Sequence, residues 1–275
     1  MFEQMVETRV GRLKVTVRGD RGPTALLWHS LFVDERSWNG MLPPLADRRR
    51  LVVVTGPGHG ASTDPGRRYT LGECAEAAQQ VLDALSVSQP VDWVGNAWGG
   101  HVGLIFAADR PDRCRSVVAF GTPVAALSAG ERRRTRLLLG LYRLLGPSST
   151  IVDATTEVLL SQRTIQSNPD AVALVHDCLR RADRRMLRNA IVSISMRRPD
   201  LGDQLARVRQ PVLIVTGADH HGFTPEQARA SVRALARGQF AVLPDTAYLA
   251  PLEAPAASAD LVLGLWAGVE AGATP

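Results

Sequence analysis

The residues with the clearest chemical meaning form a short turn, Gly95-Asn96-Ala97-Trp98-Gly99, between an apolar run and a helix-compatible run. Turns of the form Gly-x-Ser-x-Gly present a serine nucleophile at the end of a strand, because the flanking glycines leave room for its strained backbone. Here both glycines are present, but the central residue is Ala97, whose methyl group cannot act as a nucleophile. The turn therefore predicts the geometry of a nucleophile site without its nucleophile.

The elements that would position this turn alternate between predicted strands and predicted helices, a pattern typical of a mostly parallel sheet flanked by helices. We expect strands over residues 5–10, 13–17, 25–29, 51–55, 91–94, 116–121, 211–216 and 240–243. We expect helices over residues 38–47, 71–87, 101–108, 225–236 and from Ala256 onward. The fold class that follows is α/β.

Residues 123–203 interrupt this alternation with several consecutive helical patterns and no convincing strand. We interpret them as an all-helical cap inserted after the sixth strand, with a core formed by residues 1–122 and 204–275. Ligands bind α/β folds at the carboxyl ends of the strands, which such a cap would cover. Six apolar residues of the cap could either attach it to the core, the favoured interpretation, or line a ligand pocket: Leu137, Leu138, Leu141, Tyr142, Leu144 and Leu145.

Five segments in the correct order, spread over nearly the whole chain, resemble the α/β-hydrolase superfamily, specifically its cap-bearing esterases, epoxide hydrolases and haloalkane dehalogenases. These segments are residues 26–32, 55–62, 95–100, 217–220 and 247–255. The resemblance implies an α/β-hydrolase fold, and it implies that a Ser/His/Asp triad would place its nucleophile at Ala97, its acid at His220 and its base at Tyr248. None of these side chains suits its role, since a tyrosine with a pKa near ~10 accepts a proton poorly at neutral pH.

Three altered positions together indicate a natural departure from the triad. A substitution introduced to trap a substrate would remove the serine and leave the histidine and the acid in place. Loss of the nucleophile alone lowers turnover by a factor on the order of 10⁶, about as much as loss of the whole triad. Once the serine is gone, catalysis therefore no longer constrains the residues at the histidine and acid positions. We therefore expect no ordinary serine-hydrolase activity.

The resemblance also implies an oxyanion hole, which depends on backbone groups and survives the loss of the triad side chains. Its donors would be the N–H of Trp98 and that of Leu31 or Phe32, and such donors bind a carbonyl or enolate oxygen without a nucleophile. Around the ligand we expect a larger set of residues. It consists of Ser30, Leu31, Phe32, Asn96, Trp98, Tyr248, Asp219 and His221.

Three functions follow as alternatives. The favoured one is non-hydrolytic chemistry of lyase, isomerase or cyclase type on a small carbonyl-containing metabolite. The second is a catalytically silent ligand-binding protein. The third is a hydrolase that uses displaced groups, with Asp219, His220 and His221 activating water.

Composition limits the possible partners. The 275 residues carry a net charge of +5, and nearly all the positive charge is arginine, with Lys14 as the one lysine. Because the arginines alternate with leucines at helical spacing, we interpret them as solvated helix faces and expect no nucleic-acid partner. No uncharged run approaches the roughly 18 apolar residues needed to cross a bilayer, so we expect no membrane partner either.

The remaining expectations concern location and small molecules. The sequence begins without an apolar leader, and its three scattered cysteines (Cys74, Cys114 and Cys178) fit reduced thiols, so we expect a cytoplasmic protein. No cluster with metal-ligand spacing is found, and we expect no metal and no cofactor. A small-molecule ligand and a possible homodimer complete the set of expected partners.

Overall fold

The computed structural model describes residues 1–272 and contains one eight-stranded sheet. The strands are β1 (Phe2–Thr8), β2 (Gly11–Arg18), β3 (Thr24–Trp28), β4 (Arg50–Val54), β5 (Val91–Asn96), β6 (Cys114–Phe120), β7 (Val212–Gly217) and β8 (Gly238–Leu243). Their order across the sheet is β1-β2-β4-β3-β5-β6-β7-β8. The β1–β2 and β2–β4 pairs are antiparallel, and the other five pairs are parallel. The predicted mostly parallel α/β sheet is confirmed.

The central strands are buried along most of their length because both faces of the sheet are covered. Every residue of β5 and of β7 is buried. Strand β8, at the edge, is only partly covered. The elbow therefore follows a strand that is buried along its whole length.

Helices cover both faces of the sheet. One face carries α2 (Leu71–Ala84), α3 (Trp98–Asp109) and α10 (Pro225–Val232), and the other carries α1 (Leu42–Ala46) and α12 (Pro255–Glu270). A further short helix, α11 (Ala250–Glu253), precedes α12. Large aromatic side chains fill both cores, for example Trp93 and Phe106 on the first face and Trp38 and Trp266 on the second.

Several predicted boundaries need correction. The helix predicted over residues 38–47 is a 3₁₀ turn, Glu35–Trp38, followed by the five-residue α1, which starts at a pair of prolines that suit a first helical turn. The helix predicted from His101 begins at Trp98, because Gly99 and Gly100 already belong to its first turn. The helix predicted to reach Ala236 ends at Val232.

Strand β5, which leads to the elbow, is anchored at its other end by a buried carboxylate. Asp92 accepts hydrogen bonds from Arg49 Nε at 2.8 Å and from Ser116 Oγ at 2.6 Å, and Arg115 pairs with it as well. Asp92 is fully buried, and the side chain of Arg49 is 3% exposed. Because a buried charge is tolerated only when it is paired and hydrogen-bonded, this cluster fixes the position of β5.

An all-helical insertion between β6 and β7 confirms the predicted helical segment after the sixth strand. It comprises α4 (Ala129–Leu145), α5 (Ser149–Leu159), α6 (Gln162–Ser167), α7 (Pro169–Arg181), α8 (Arg184–Ala190), a π-helical segment (Ile191–Met196) and α9 (Gly202–Arg207). The division into a core of 1–122 and 204–275 and a cap of 123–203 stays a prediction. The last three residues of the predicted core, 273–275, lie outside the described part of the chain.

The leucines of α4 do not have either of the roles expected for them. Tyr142 is buried, but the other five predicted pocket or packing residues are 40% to 79% exposed: Leu137, Leu138, Leu141, Leu144 and Leu145. The reason is the orientation of α4 about its own axis: the side that carries Thr135, Leu139 and Tyr142 faces the protein. The five leucines therefore lie on the solvent side.

Candidate functional site

The turn between β5 and α3 has the strained backbone of a nucleophile elbow. Ala97 has φ 47° and ψ −100°, a conformation that costs a residue with a Cβ about 1–3 kcal/mol. A Cβ on Gly95 would collide with the backbone of Gly99, and a Cβ on Gly99 would collide with the carbonyl oxygen of Trp28. These glycines are therefore required for the close approach of α3 to the sheet.

Three backbone N–H groups near the elbow are available to bind an oxygen. The N–H of Trp98 is the first of α3, and those of Leu31 and Phe32 follow the end of β3. Within residues 1–272, none of the three has a hydrogen-bond acceptor. The N–H at the start of a helix also lies at the positive end of the helix dipole. These groups have the chemistry that an oxyanion hole requires.

Side chains at the two other triad positions lie next to each other. The rings of His220 and Tyr248 have centroids 5.1 Å apart, and both residues lie beside Gly121 at the end of β6. The Tyr248 side chain also lies near Ser30, whose hydroxyl is buried and has no hydrogen bond within the described residues. The sequence-predicted positions 30, 220 and 248 are thus brought together.

The protonation state of His220 follows from its surroundings. Its Nδ1 accepts a hydrogen bond from the N–H of Gly222 at 3.1 Å, so the neutral ring carries its proton on Nε2. Burial lowers the pKa of His220 to about 4, and the ring is therefore neutral at pH 7. Nε2 lies near Gly121 and has no well-formed hydrogen bond within residues 1–272, which leaves a buried N–H donor.

The phenol of Tyr248 is also a donor at neutral pH. Burial raises its pKa, and the nearby Ser30 hydroxyl and the Arg198 cation reduce that rise. Tyr248 therefore keeps its proton and cannot take the role of a general base.

The two neighbours of His220 lie elsewhere. Asp219 and His221 are exposed, while His220 points inward and is 5% exposed. Successive loop residues here face opposite directions, so the structure does not assemble the three side chains around one point. The contribution of Asp219 and His221 to the ligand site stays a prediction.

Two other predicted ligand residues have mainly structural contacts. Asn96 donates from Nδ2 to the backbone carbonyls of Phe120 and Tyr248, both at 3.2 Å. The ring of Trp98 is 1% exposed and packs at ring-centroid distances of 5.5 Å from Trp28 and 5.3 Å from His59. The backbone N–H of Trp98 has no acceptor within residues 1–272 and remains for a ligand.

The histidines near the elbow, His29 and His59, pack inside the protein with their ring nitrogens against backbone groups. His29 is fully buried, contacts the Ser30 carbonyl through Nδ1 at 2.6 Å and accepts from the Gly56 N–H through Nε2 at 2.8 Å. His59 has both ring nitrogens beside backbone carbonyls, and a neutral ring donates its single N–H to one of them. Burial lowers the pKa of both rings, which are neutral at pH 7.

An apolar layer from the cap lies next to the site. Val33, after β3, and Leu249, next to Tyr248, pack in this layer against two cap helices. The cap residues are Val152 and Leu159 of α5 and Val175 and Leu179 of α7. Phe32 and Tyr248 pack against this layer. Ala97 and Ser30 are consequently at most 1% exposed.

A cleft of about 490 Å³ opens beside the elbow, between the loop after β3, the glycine-rich loop after β4 and cap helices α7 and α8. Of the predicted ligand residues, Phe32 lines it, whereas Ser30, Leu31, Asn96, Trp98, Asp219 and His221 do not. Its polar lining includes Asp34, which forms an ion pair with Arg36, and Arg36 also pairs with Asp177. Sequence reasoning did not identify these charged residues, although the Asp-Glu-Arg run directly follows Phe32-Val33.

Residues 1–272 contain neither a metal-binding cluster nor a membrane-spanning helix. No group of three or more His, Cys, Asp or Glu side chains there is arranged to hold a metal ion. In the same part of the chain, no helix is both long enough and apolar enough to span a bilayer.

Comparisons with known proteins place this geometry in context. Residues 26–145 match the family described as alpha/beta hydrolase fold. The chain is 24% identical over 256 residues to pyrrolizixenacetamide deacetylase from Xenorhabdus hominickii, covering 91% of this chain and 94% of that protein. Several other curated relatives are matched over less than two thirds of their own length.

Solved structures superpose on almost the whole chain. A thermophilic esterase from Thermogutta terrifontis superposes with a TM-score of 0.88 at 22% identity, covering 98% of this chain and 99% of the esterase. The enol-lactonase from Burkholderia xenovorans LB400 superposes with a TM-score of 0.87 at 20% identity, covering 96% and 100%. The chain therefore has the α/β-hydrolase fold.

Proposed function

We propose that the protein binds the carbonyl oxygen of a small molecule at the elbow and catalyses a non-hydrolytic reaction of lyase, isomerase or cyclase type. One observation carries this proposal: Ala97 keeps the strained elbow conformation, and the Trp98 N–H that it positions has no protein acceptor in residues 1–272. Strain of this kind persists where the surrounding structure enforces it, most often at functional sites.

The side chains near the elbow favour this reaction class because they donate hydrogen bonds at neutral pH. Within residues 1–272 the buried hydroxyl of Ser30 has no hydrogen-bond partner, Tyr248 keeps its phenolic proton, and His220 carries its proton on Nε2. A neutral imidazole N–H stabilises developing negative charge on oxygen without transferring a proton. The group that would attack a substrate carbonyl, a serine at position 97, is replaced by a methyl group.

A site built from donors accelerates reactions in which the substrate supplies its own nucleophile or leaving group. Negative charge that develops on the carbonyl oxygen during ring closure, isomerisation or bond cleavage would be stabilised by the backbone and side-chain donors. One such donor contributes about 10²–10³ in rate in enzymes with an oxyanion hole. The relatives named as an esterase, a deacetylase and an enol-lactonase support the proposal, because reactions at ester, amide and lactone carbonyls also develop charge on that oxygen.

Binding of p-nitrophenol tests the proposal, because its phenolate mimics an enolate or oxyanion and absorbs differently from the phenol. We expect the protein to favour the phenolate and to lower the pKa of the bound probe below its value in water. Ser30→Ala and Tyr248→Phe should each weaken phenolate binding about tenfold or more, since each removes a hydrogen bond to a charged group. Tyr142→Phe, at another buried tyrosine, is the matched control and should bind like the parent. Equal affinity for phenol and phenolate, or no binding, would contradict the proposal.

A catalytically silent binding protein is the second candidate, and the position of the cleft favours it. The cleft of about 490 Å³ is lined by Phe32, but not by Ala97, Ser30, His220 or Tyr248. In this case Phe32→Ala would abolish binding of a neutral aromatic probe such as p-nitroanisole, and Ser30→Ala would leave it unchanged.

A further inference from the structure

The outer side of cap helix α4 carries a concentrated apolar surface. Five leucines within nine residues are 40% to 79% exposed, and we name them the leucine stripe: Leu137, Leu138, Leu141, Leu144 and Leu145. Isolated exposed apolar residues are normal on a protein surface, but a contiguous group of large ones marks an interaction site.

The stripe follows from the helical period. Its members are separated by one, three or four residues, so they occupy one continuous side of α4. The opposite side, with Thr135 and Leu139 half-buried and Tyr142 buried, packs toward the rest of the cap. No rotation of single side chains would bury the stripe, because it faces away from the core.

Positive charge surrounds the leucine stripe. Arg133 and Arg134 lie one turn before its first leucine, and Arg136 and Arg143 lie along its flank on the exposed surface of the same helix. The one carboxylate in α4 is Glu131, at its N-terminus, where it forms a capping box with Ser128. The outer side of α4 therefore combines apolar side chains with uncompensated cations.

We propose that α4 docks the protein on an anionic lipid surface, with the helix lying in the membrane interface. A helix with leucines on one side and arginines beside them buries the leucines among the lipid chains and places the guanidinium groups at anionic headgroups. Such a helix does not cross the bilayer, so the proposal is compatible with the lack of a spanning helix in residues 1–272. It replaces the sequence-based expectation of no membrane partner.

A second copy of the chain fits this surface less well. A two-fold symmetric contact brings the same patch from both copies together, and here it would bring both sets of α4 arginines into one interface. A stable protein–protein interface also buries about 800 Å² on each partner, which is more than a nine-residue stripe on one helix provides. A lipid surface requires no such area and carries the opposite charge.

Vesicle flotation tests the proposal with the full chain. Vesicles of phosphatidylcholine alone are compared with vesicles of equal parts phosphatidylcholine and phosphatidylglycerol. We expect the parent to float with the anionic vesicles only, and to be released by high salt because the arginine contribution is screened. Parent that floats with neither vesicle, or equally with both, would overturn the proposal.

Matched variants separate the stripe from net charge. Leu144→Glu changes a stripe residue that is 79% exposed, and Val158→Glu changes a 66% exposed residue on α5 by the same charge. We expect Leu144→Glu to weaken vesicle binding about tenfold or more, since it removes a large apolar side chain that the bound protein would bury among the lipid chains. Val158→Glu should leave vesicle binding within about twofold of the parent. Both positions are exposed, so circular dichroism should show folded protein in each case. Unchanged flotation of Leu144→Glu, or a dimer in sedimentation that this variant dissociates without any vesicle binding by the parent, would refute the proposal.

Discussion

The side-chain amide of Asn96 donates a hydrogen bond to the backbone carbonyl of Tyr248 at 3.2 Å. Asn96 immediately precedes the elbow residue Ala97, and Tyr248 lies on the loop after β8. The same amide reaches the carbonyl of Phe120 at the end of β6. One side chain therefore connects the elbow, β6 and the Tyr248 loop through main-chain acceptors. This connection is independent of the residue at position 97, so the arrangement is maintained without a nucleophile.

The elbow depends on its glycines for stability. Gly99→Ala places a Cβ against the Trp28 carbonyl oxygen, a backbone atom that cannot move aside. We expect a loss of several kcal/mol in the free energy of unfolding, at or above the level of about 4 kcal/mol that is exceptional for single substitutions. Gly264→Ala, where a Cβ would contact nothing within 4 Å, is the matched control and should be neutral or slightly stabilising. Urea unfolding measures both, and equal stability of the two variants would argue against the close approach.

The strain at Ala97 has a measurable consequence. Glycine adopts a φ of 47° without the penalty of a Cβ, so Ala97→Gly should increase the free energy of unfolding by about 1 kcal/mol despite the added freedom of the unfolded chain. Ala107→Gly, inside α3, should lower it by about 1 kcal/mol or more, because glycine is unfavourable in a helix interior. A destabilised Ala97→Gly variant would show that the elbow is not strained.

Buried neutral histidines should make the protein sensitive to mild acid. Burial lowers the pKa of His29 to about 4 and that of His101 to about 3. Since the unfolded chain protonates these rings near pH 6.5, their contribution to stability is complete above that pH and is lost as pH falls from about 6.5 toward the folded values. Between pH 7 and pH 5 we expect His101 to account for a loss of about 2 kcal/mol.

His101→Gln tests this assignment. Glutamine can still donate to the Pro123 carbonyl, which His101 contacts through Nε2 at 2.8 Å, but it does not titrate. The difference in urea unfolding free energy between pH 7 and pH 5 should therefore be about 2 kcal/mol smaller in the variant than in the parent. The same pH dependence in both proteins would exclude His101 as its cause.

The elements that position the site could be predicted from the sequence because each has a strong local signal. Continuous apolar runs such as 212–217 indicate strands covered on both faces, and the glycines at 95 and 99 indicate a tight turn between strand and helix. The adjacency of His220 and Tyr248 follows from the resemblance to the α/β-hydrolases, which assigns both residues to positions of one catalytic triad.

Side-chain direction was harder to predict. Asp219, His220 and His221 are consecutive, and the sequence does not reveal that only the middle residue points inward. The leucines of α4 have the spacing of a core-facing stripe, but which side of an amphipathic helix faces the protein depends on tertiary contacts. The charged cleft lining likewise brings together residues from loops and helices far apart in the chain.

Hydrolysis of short-chain p-nitrophenyl esters is the measurement that tests the central claim most directly. It compares the parent with Ala97→Ser alone and with the triple variant Ala97→Ser, His220→Asp, Tyr248→His. We predict that the parent and the single variant remain at the uncatalysed background, because a serine without a base and an acid lacks most of the catalytic power of a triad. The triple variant should gain turnover, since the strained elbow and the backbone donors are already in place. Ester hydrolysis by the parent well above background would contradict the account.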